Sequence, residues 1–122
     1  MLYSISFRGR KILVDLRKTG FFRKGLGLTF RTRNTDNLLF EFNKEVSWQG
    51  TLTSIFVFFP FLTLWLDNKN KVIDYKVVRP FVFSISQKKR FYRIVEIPIN
   101  KANFSLISKF VNTAELKKYY RR

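Results

Sequence analysis

The 122 residues amount to about one domain, and they carry 24 Lys and Arg against 8 Asp and Glu, a formal charge of +16. An apolar share of 46% with 15 Phe argues against global disorder. The absence of Cys and His excludes disulfide frameworks, Cys-ligated metals, a Cys nucleophile and the commonest general base, so most familiar catalysis is disfavoured and no cofactor is expected.

Residues 2–7 alternate apolar and polar and read as a half-buried strand. Gly9 permits a turn into a second strand over 11–16. Residues 19–27 fit a short helix or an irregular loop, and 32–37 are rich in turn formers. Residues 38–42 form a compact strand candidate, followed by a loop over 43–50 that holds Trp48. The longest apolar run, residues 51–66, falls short of the roughly 20 residues of a membrane-spanning helix. Pro60 interrupts it, and its Ile, Val, Phe, Thr and Trp content favours strand, so it reads as two buried strands or one kinked strand. Residues 67–70 close a hairpin into a return strand over 71–78. Arg79-Pro80 opens a connection. Another strand covers 91–97 and stops at Pro98. From Lys101 the pattern changes: Phe104, Ile107, Phe110, Val111 and Ala114 fall at helical spacing, with Asn103 or Ser105 as a cap.

These elements describe a mainly β protein, a small sandwich or barrel with a basic C-terminal helix. Residues 1–100 form the β-rich domain, and 101–122 form a helix or tail packed on it or extending from it. Most aromatics are expected in the core. Residues 1–10 hold no apolar run of signal-peptide length, and the expected location is the cytoplasm.

An ordered set of short motifs adds to this reading. Leu26-Gly27-Leu28-Thr29-Phe30-Arg31 is followed by Leu38-Leu39-Phe40-Glu41-Phe42, Phe56-Val57-Phe58-Phe59-Pro60 and Trp65-Leu66-Asp67. Then come Lys71-Val72-Ile73-Asp74, Val78-Arg79-Pro80-Phe81 and Val95-Glu96-Ile97-Pro98. Over roughly residues 20–100 the chain resembles the domain of unknown function 192 family, especially its short archaeal members. The resemblance implies a single jelly-roll-like domain and no established activity. Thr53 stands where the family often has His, Leu62 where it has Asp, and Ile99-Asn100 where it has Ala-Gly. The departures imply a domain kept as a scaffold, without any ligand or catalytic site those polar positions form.

The charge is uneven. Residues 1–33 hold nine cations and one acid (+8), 34–75 hold three and five (−2), and 76–122 hold twelve and two (+10). Three basic clusters are candidate phosphate contacts, since Arg forks bind phosphate bidentately and Lys adds point charge. The first is Arg8, Arg10, Lys11, Arg17, Lys18, Arg23, Lys24, Arg31 and Arg33, with Arg8-Gly9-Arg10-Lys11 at a tight turn. The second is Lys88, Lys89, Arg90 and Arg93, interleaved with Phe91 and Tyr92; there the charges suit phosphate, while Phe91 suits the core. The third is Lys117, Lys118, Arg121 and Arg122, a tail expected to fray unless a partner holds it. Paired carboxylates, a metal cluster, a complete Gly-rich phosphate loop and a Ser–His pair are not legible.

The expected function is non-catalytic binding of RNA, as a structural or accessory component of the ribosome. Contacts to ribosomal RNA phosphates, beside neighbouring ribosomal proteins, suit a small, very basic chain with a compact core. The alternatives are a DNA-binding or chromatin protein on the same basic faces, and a small-ligand domain of the resembled family. Peripheral binding to an anionic membrane through the C-terminal helix ranks below these, and integral insertion is not expected.

Overall fold

The computed structural model describes residues 1–18, 36–46, 51–52, 59–79, 85–87 and 89–120, the side chains of 43–46, 51–52 and 85–86 aside. Its strands are β1 (Leu2–Phe7), β2 (Arg10–Asp15), β3 (Arg17–Lys18), β4 (Leu38–Val46), β5 (Thr51–Leu52), β6 (Phe61–Leu66), β7 (Val72–Val78), β8 (Ile85–Ser86) and β9 (Phe91–Pro98). Two short helices, α1 (Phe104–Ile107) and α2 (Thr113–Lys117), follow. The expected mainly β class is therefore found. Its barrel alternative is not: the strands form an open five-stranded sheet in the order β3-β4-β9-β6-β7, and two-stranded pairs β1-β2 and β5-β8.

All six side chains of β6 are buried, so both faces of this strand are covered. Leu62, Leu64 and Leu66 point to one face with Leu39, Val95 and Ile97; the hairpin residues Ile5, Phe7, Ile12 and Val14 cover that face. Ile107, Phe110, Val111 and Leu116 from the C-terminal segment complete the cover. Phe61 and Trp65 point to the opposite face, into an aromatic cluster with Phe40, Phe59 and Phe91. This is the period-2 alternation of a strand applied twice, with an apolar residue at nearly every position because neither face meets water.

Local chemistry shapes the connections. In β1-β2, Phe7 pairs with Arg10, leaving a two-residue loop, Arg8-Gly9, with φ of 50° and 79°. Two positive φ angles in sequence mark the type I′ turn that matches strand twist. In β6-β7, Asp67 Oδ1 accepts from the backbone N–H of Lys69 at 2.8 Å and of Lys71 at 2.9 Å, and Asn70 takes φ 62°. An Asx turn and a left-handed Asn thus close the hairpin expected at this place. β4 runs on to Val46, past the expected strand end, with a bulge in its pairing to β9 between Glu41 and Val46. β3, which pairs in parallel with β4, was not expected from the sequence.

The single C-terminal helix is corrected to two. Asn112, at φ −55° and ψ 131°, leaves the helical region, and its side chain accepts from the Ala114 N–H at 2.8 Å. A new N-cap therefore breaks the apolar spacing into two helices. Ala114 is exposed and Leu116 takes the buried position. Asn103 is the N-cap residue of α1, but its side chain makes no capping bond; its Nδ2 donates instead to the Pro98 carbonyl at 2.9 Å. The expected elements over 19–27 and 47–50, most of the turn segment 32–37, and motif residues Leu26–Arg31, Thr53, Phe56–Phe58 and Pro80-Phe81 lie outside the described residues. Leu62 is fully buried in the same core cluster as Ile99, and Asn100 is buried as well.

Two substitutions test this packing. Leu64→Ala is expected to lower unfolding free energy by roughly 2–5 kcal/mol in urea denaturation, the range for large-to-small changes in a close-packed core. Thr63 is fully buried on the aromatic face, and its hydroxyl has no hydrogen-bond partner among the described residues. Thr63→Val is therefore expected to raise the denaturation midpoint, by about 1 kcal/mol of stability, because it removes an unsatisfied buried hydroxyl.

Candidate functional site

Ten of the sequence-predicted cationic residues are described, and they divide into engaged and open groups. Glu41 and Arg93 face each other across β4 and β9. Arg93 Nε donates to Glu41 Oε2 at 3.0 Å and its NH1 to the Asp67 carbonyl at 3.2 Å. Lys18 Nζ lies 2.6 Å from the other Glu41 oxygen. Hydrogen bonds from Lys18 and then Arg93 hold the Glu41 carboxyl below its ordinary range, and the same contact holds the Lys18 ammonium above its own. Arg17 pairs with Asp36 at 3.3 Å.

The basic loop before β9 is fastened by a buried amide. Gln87 Nε2 donates to Asp74 Oδ2 at 2.9 Å, and Gln87 Oε1 accepts from the Lys89 N–H at 2.9 Å. Lys89 Nζ then reaches the Ile73 carbonyl at 3.2 Å, and Arg90 is exposed beside it. Phe91 is fully buried in the aromatic cluster, as its expected core role requires, while Lys89 and Arg90 are exposed and Arg93 is half-buried on Glu41. At the C-terminal end Lys117 and Lys118 are exposed. The Tyr119 ring lies 5.6 Å from the Arg79 guanidinium and 5.7 Å from the Lys118 ammonium. Arg23, Lys24, Arg31, Arg33, Lys88, Arg121 and Arg122 lie outside the described residues.

One group of cations converges. Arg8, Arg10 and Lys11 meet Lys109 around a concave surface of about 230 Å³, floored by Phe7 and Ile12. Phe7 packs on Phe110 at 5.1 Å between ring centroids, which docks the segment after α1 on the hairpin and brings Lys109 to the turn. The Arg8 guanidinium lies 4.8 Å over the Phe7 ring, and one of its nitrogens is 3.4 Å from the Tyr75 hydroxyl. None of the four cations pairs with a carboxylate among the described residues. Like charges gathered on one surface repel, and this grouping has no compensating carboxylate within the described chain. Arg8 also holds a left-handed conformation that costs a residue with a Cβ about 1–2 kcal/mol. Asn or Gly is the ordinary occupant there.

Lys109 was missed from the sequence. It lies about a hundred residues from Arg8, and its approach depends on the Phe7–Phe110 contact; its place next to a core aromatic was the available signal. A larger cleft of about 810 Å³ lies between Tyr3, Arg17, Asn37 and Asn103. Its polar groups bind one another: Asn103 Nδ2 donates to Asn37 Oδ1 at 3.0 Å, and Asn37 Nδ2 to the Asp15 carbonyl at 3.3 Å. Among the described residues no three acidic, His or Cys side chains gather as a metal site. Among them, too, no helix is long and apolar enough to cross a membrane.

No protein-family model matches the chain, and no curated protein does. Among solved structures the chain is similar to a protein of unknown function from Novosphingobium aromaticivorans DSM 12444. The TM-score is 0.60 at 14% identity, over 84% of this chain and 75% of that one. At this identity the likeness concerns the fold alone.

The Glu41 bridge makes a pH prediction. A carboxyl with a lowered folded-state pKa contributes stability above its unfolded value of about 4.3 and loses it as pH falls through the folded one. Glu41→Gln is expected to destabilise the protein at pH 7 by roughly 0.5–1 kcal/mol, a value kept small by solvent screening. The difference from wild type should close on acidification below about pH 4. Urea midpoints measured from pH 3 to 7 check this; a pH-independent gap contradicts it.

Proposed function

We propose that the protein is a non-catalytic RNA-binding protein, a structural or accessory component of the ribosome that grips ribosomal RNA through its phosphates. The observation that carries this reading is where the acids are. Of the eight acids, Glu45 has no described side chain, and none of the other seven lines the cationic concavity. Asp15 meets the Met1 amine, Asp36 meets Arg17, and Glu41 holds Lys18 and Arg93. Asp67 closes a turn, Asp74 holds Gln87, Glu96 is buried in the sheet, and Glu115 sits in the first turn of α2. The acids serve the fold, and the cations of the hairpin turn and the C-terminal segment remain for an external polyanion.

RNA is preferred to DNA on overall character: a compact basic chain with no helix-turn-helix pattern or zinc finger legible in its sequence. The resemblance to the domain of unknown function 192 family belongs to the same proposal, as an older scaffold that has gained cationic surfaces. Leu62, where that family has Asp, is fully buried, which suits a scaffold role at that position.

Phosphate-dominated binding predicts a steep salt dependence. With four or more phosphates neutralised, log Kd for a structured ribosomal RNA fragment is expected to rise with log salt at a slope of about 3 or more, at ~0.7–0.9 per phosphate. Fluorescence anisotropy between low and physiological salt measures it. A slope near 1 contradicts the reading, and equal affinity for duplex DNA of the same length turns it to the DNA-binding alternative.

A further inference from the structure

We infer that the concavity between the β1-β2 turn and the segment after α1 is a binding site for a single phosphate group, formed by Arg8, Arg10, Lys11 and Lys109. This deepens the RNA-binding reading and rests on it for the source of the phosphate, though the site itself is argued from its own geometry. The volume, about 230 Å³, lies below the ~300–1,000 Å³ of pockets for drug-sized ligands. It suits a compact oxyanion better than a metabolite. Four cations from two distant parts of the chain line it, with no carboxylate among its lining residues. Two guanidinium forks and two ammonium groups supply directional donors and point charge, the combination that phosphate oxygens accept.

Arg8 is preorganised for this task. Its guanidinium lies over Phe7 and one nitrogen reaches Tyr75, which fixes the group while leaving other N–H donors for a ligand. It occupies the left-handed position of a two-residue turn, where Asn would sit with less strain. A strained backbone at a cationic pocket is the kind of local departure that accompanies a binding role. Lys109 closes the pocket because Phe110 packs on Phe7, so the fourth cation depends on the docking of the C-terminal segment.

The shared chemistry is a phosphate oxyanion, and two sources fit it: a backbone phosphodiester or a terminal phosphate monoester. The test is a 1H–15N titration of the full chain with inorganic phosphate at constant ionic strength. Short RNA with a 5′-phosphate or a 5′-hydroxyl is titrated in parallel. Saturable shifts confined to residues 7–12 and 108–111 are expected. Arg8→Asn keeps the turn, and Arg8→Asn with Lys109→Gln is expected to weaken phosphate binding by about tenfold or more. Lys76→Gln, on β7 and outside the pocket, is the control and should leave it unchanged. A preference for the 5′-phosphate RNA identifies the monoester, and equal binding identifies the diester. Linear, non-saturating shifts spread over all basic residues overturn the site. RNA affinity that persists undiminished in the double variant, with no saturable phosphate binding, overturns the pocket and leaves the RNA reading standing. Saturable phosphate binding without RNA binding overturns the RNA reading and leaves the pocket.

Discussion

The fold depends on a sheet whose central strands meet water on neither face. β6 is buried at every residue, and β9 beside it is buried from Ile94 to Pro98. A sheet of this kind cannot stand without two covers. On one face the cover is the β1-β2 hairpin together with the C-terminal helices, which the chain supplies from its two ends. The same requirement brings Phe7 to Phe110, and with them the turn cations to Lys109. Core packing and the convergence of charge are consequences of one constraint.

That constraint also directs the acids. Ionisable groups are excluded from the sheet interior unless partnered, so most described acids gather at its rim and turns, where Asp15, Asp36, Glu41, Asp67 and Asp74 hold neighbouring groups. The Glu41 bridge ties β3, β4 and β9 together at one edge, and Asp74 ties Gln87 and the basic loop to β7. What is left is a surface with cations in excess, self-repelling in isolation. On the proposed reading, folding and binding are thus linked through charge: the partner supplies the screening that the protein's own acids do not.

Much of the β architecture is legible in the sequence because it is local. Alternation marks β1 and β2, the Asp67–Asn70 turn chemistry marks the β6-β7 hairpin, and Pro98 marks the end of β9. The strand order is not legible, since β9 inserts between β4 and β6 by pairings that no local pattern encodes. Two-residue β3 carries too little pattern to read. The break between the helices is hidden because the apolar spacing from Phe104 to Ala114 runs across Asn112, whose capping bond ends it. The basic clusters were legible as charge, but not their division: Arg93 and Lys18 share Glu41, Arg17 is held by Asp36, and the open group gains Lys109. Pairing across strands and packing between distant segments decide that division, and both are properties of the folded chain.

The most direct measurement is sedimentation of a native lysate on a sucrose gradient, followed by a moderate-salt wash and mass spectrometry of each peak. The account predicts that the protein travels with one ribosomal subunit and stays bound through the wash, as many simultaneous phosphate contacts require. Recovery at the top of the gradient with free proteins would contradict it.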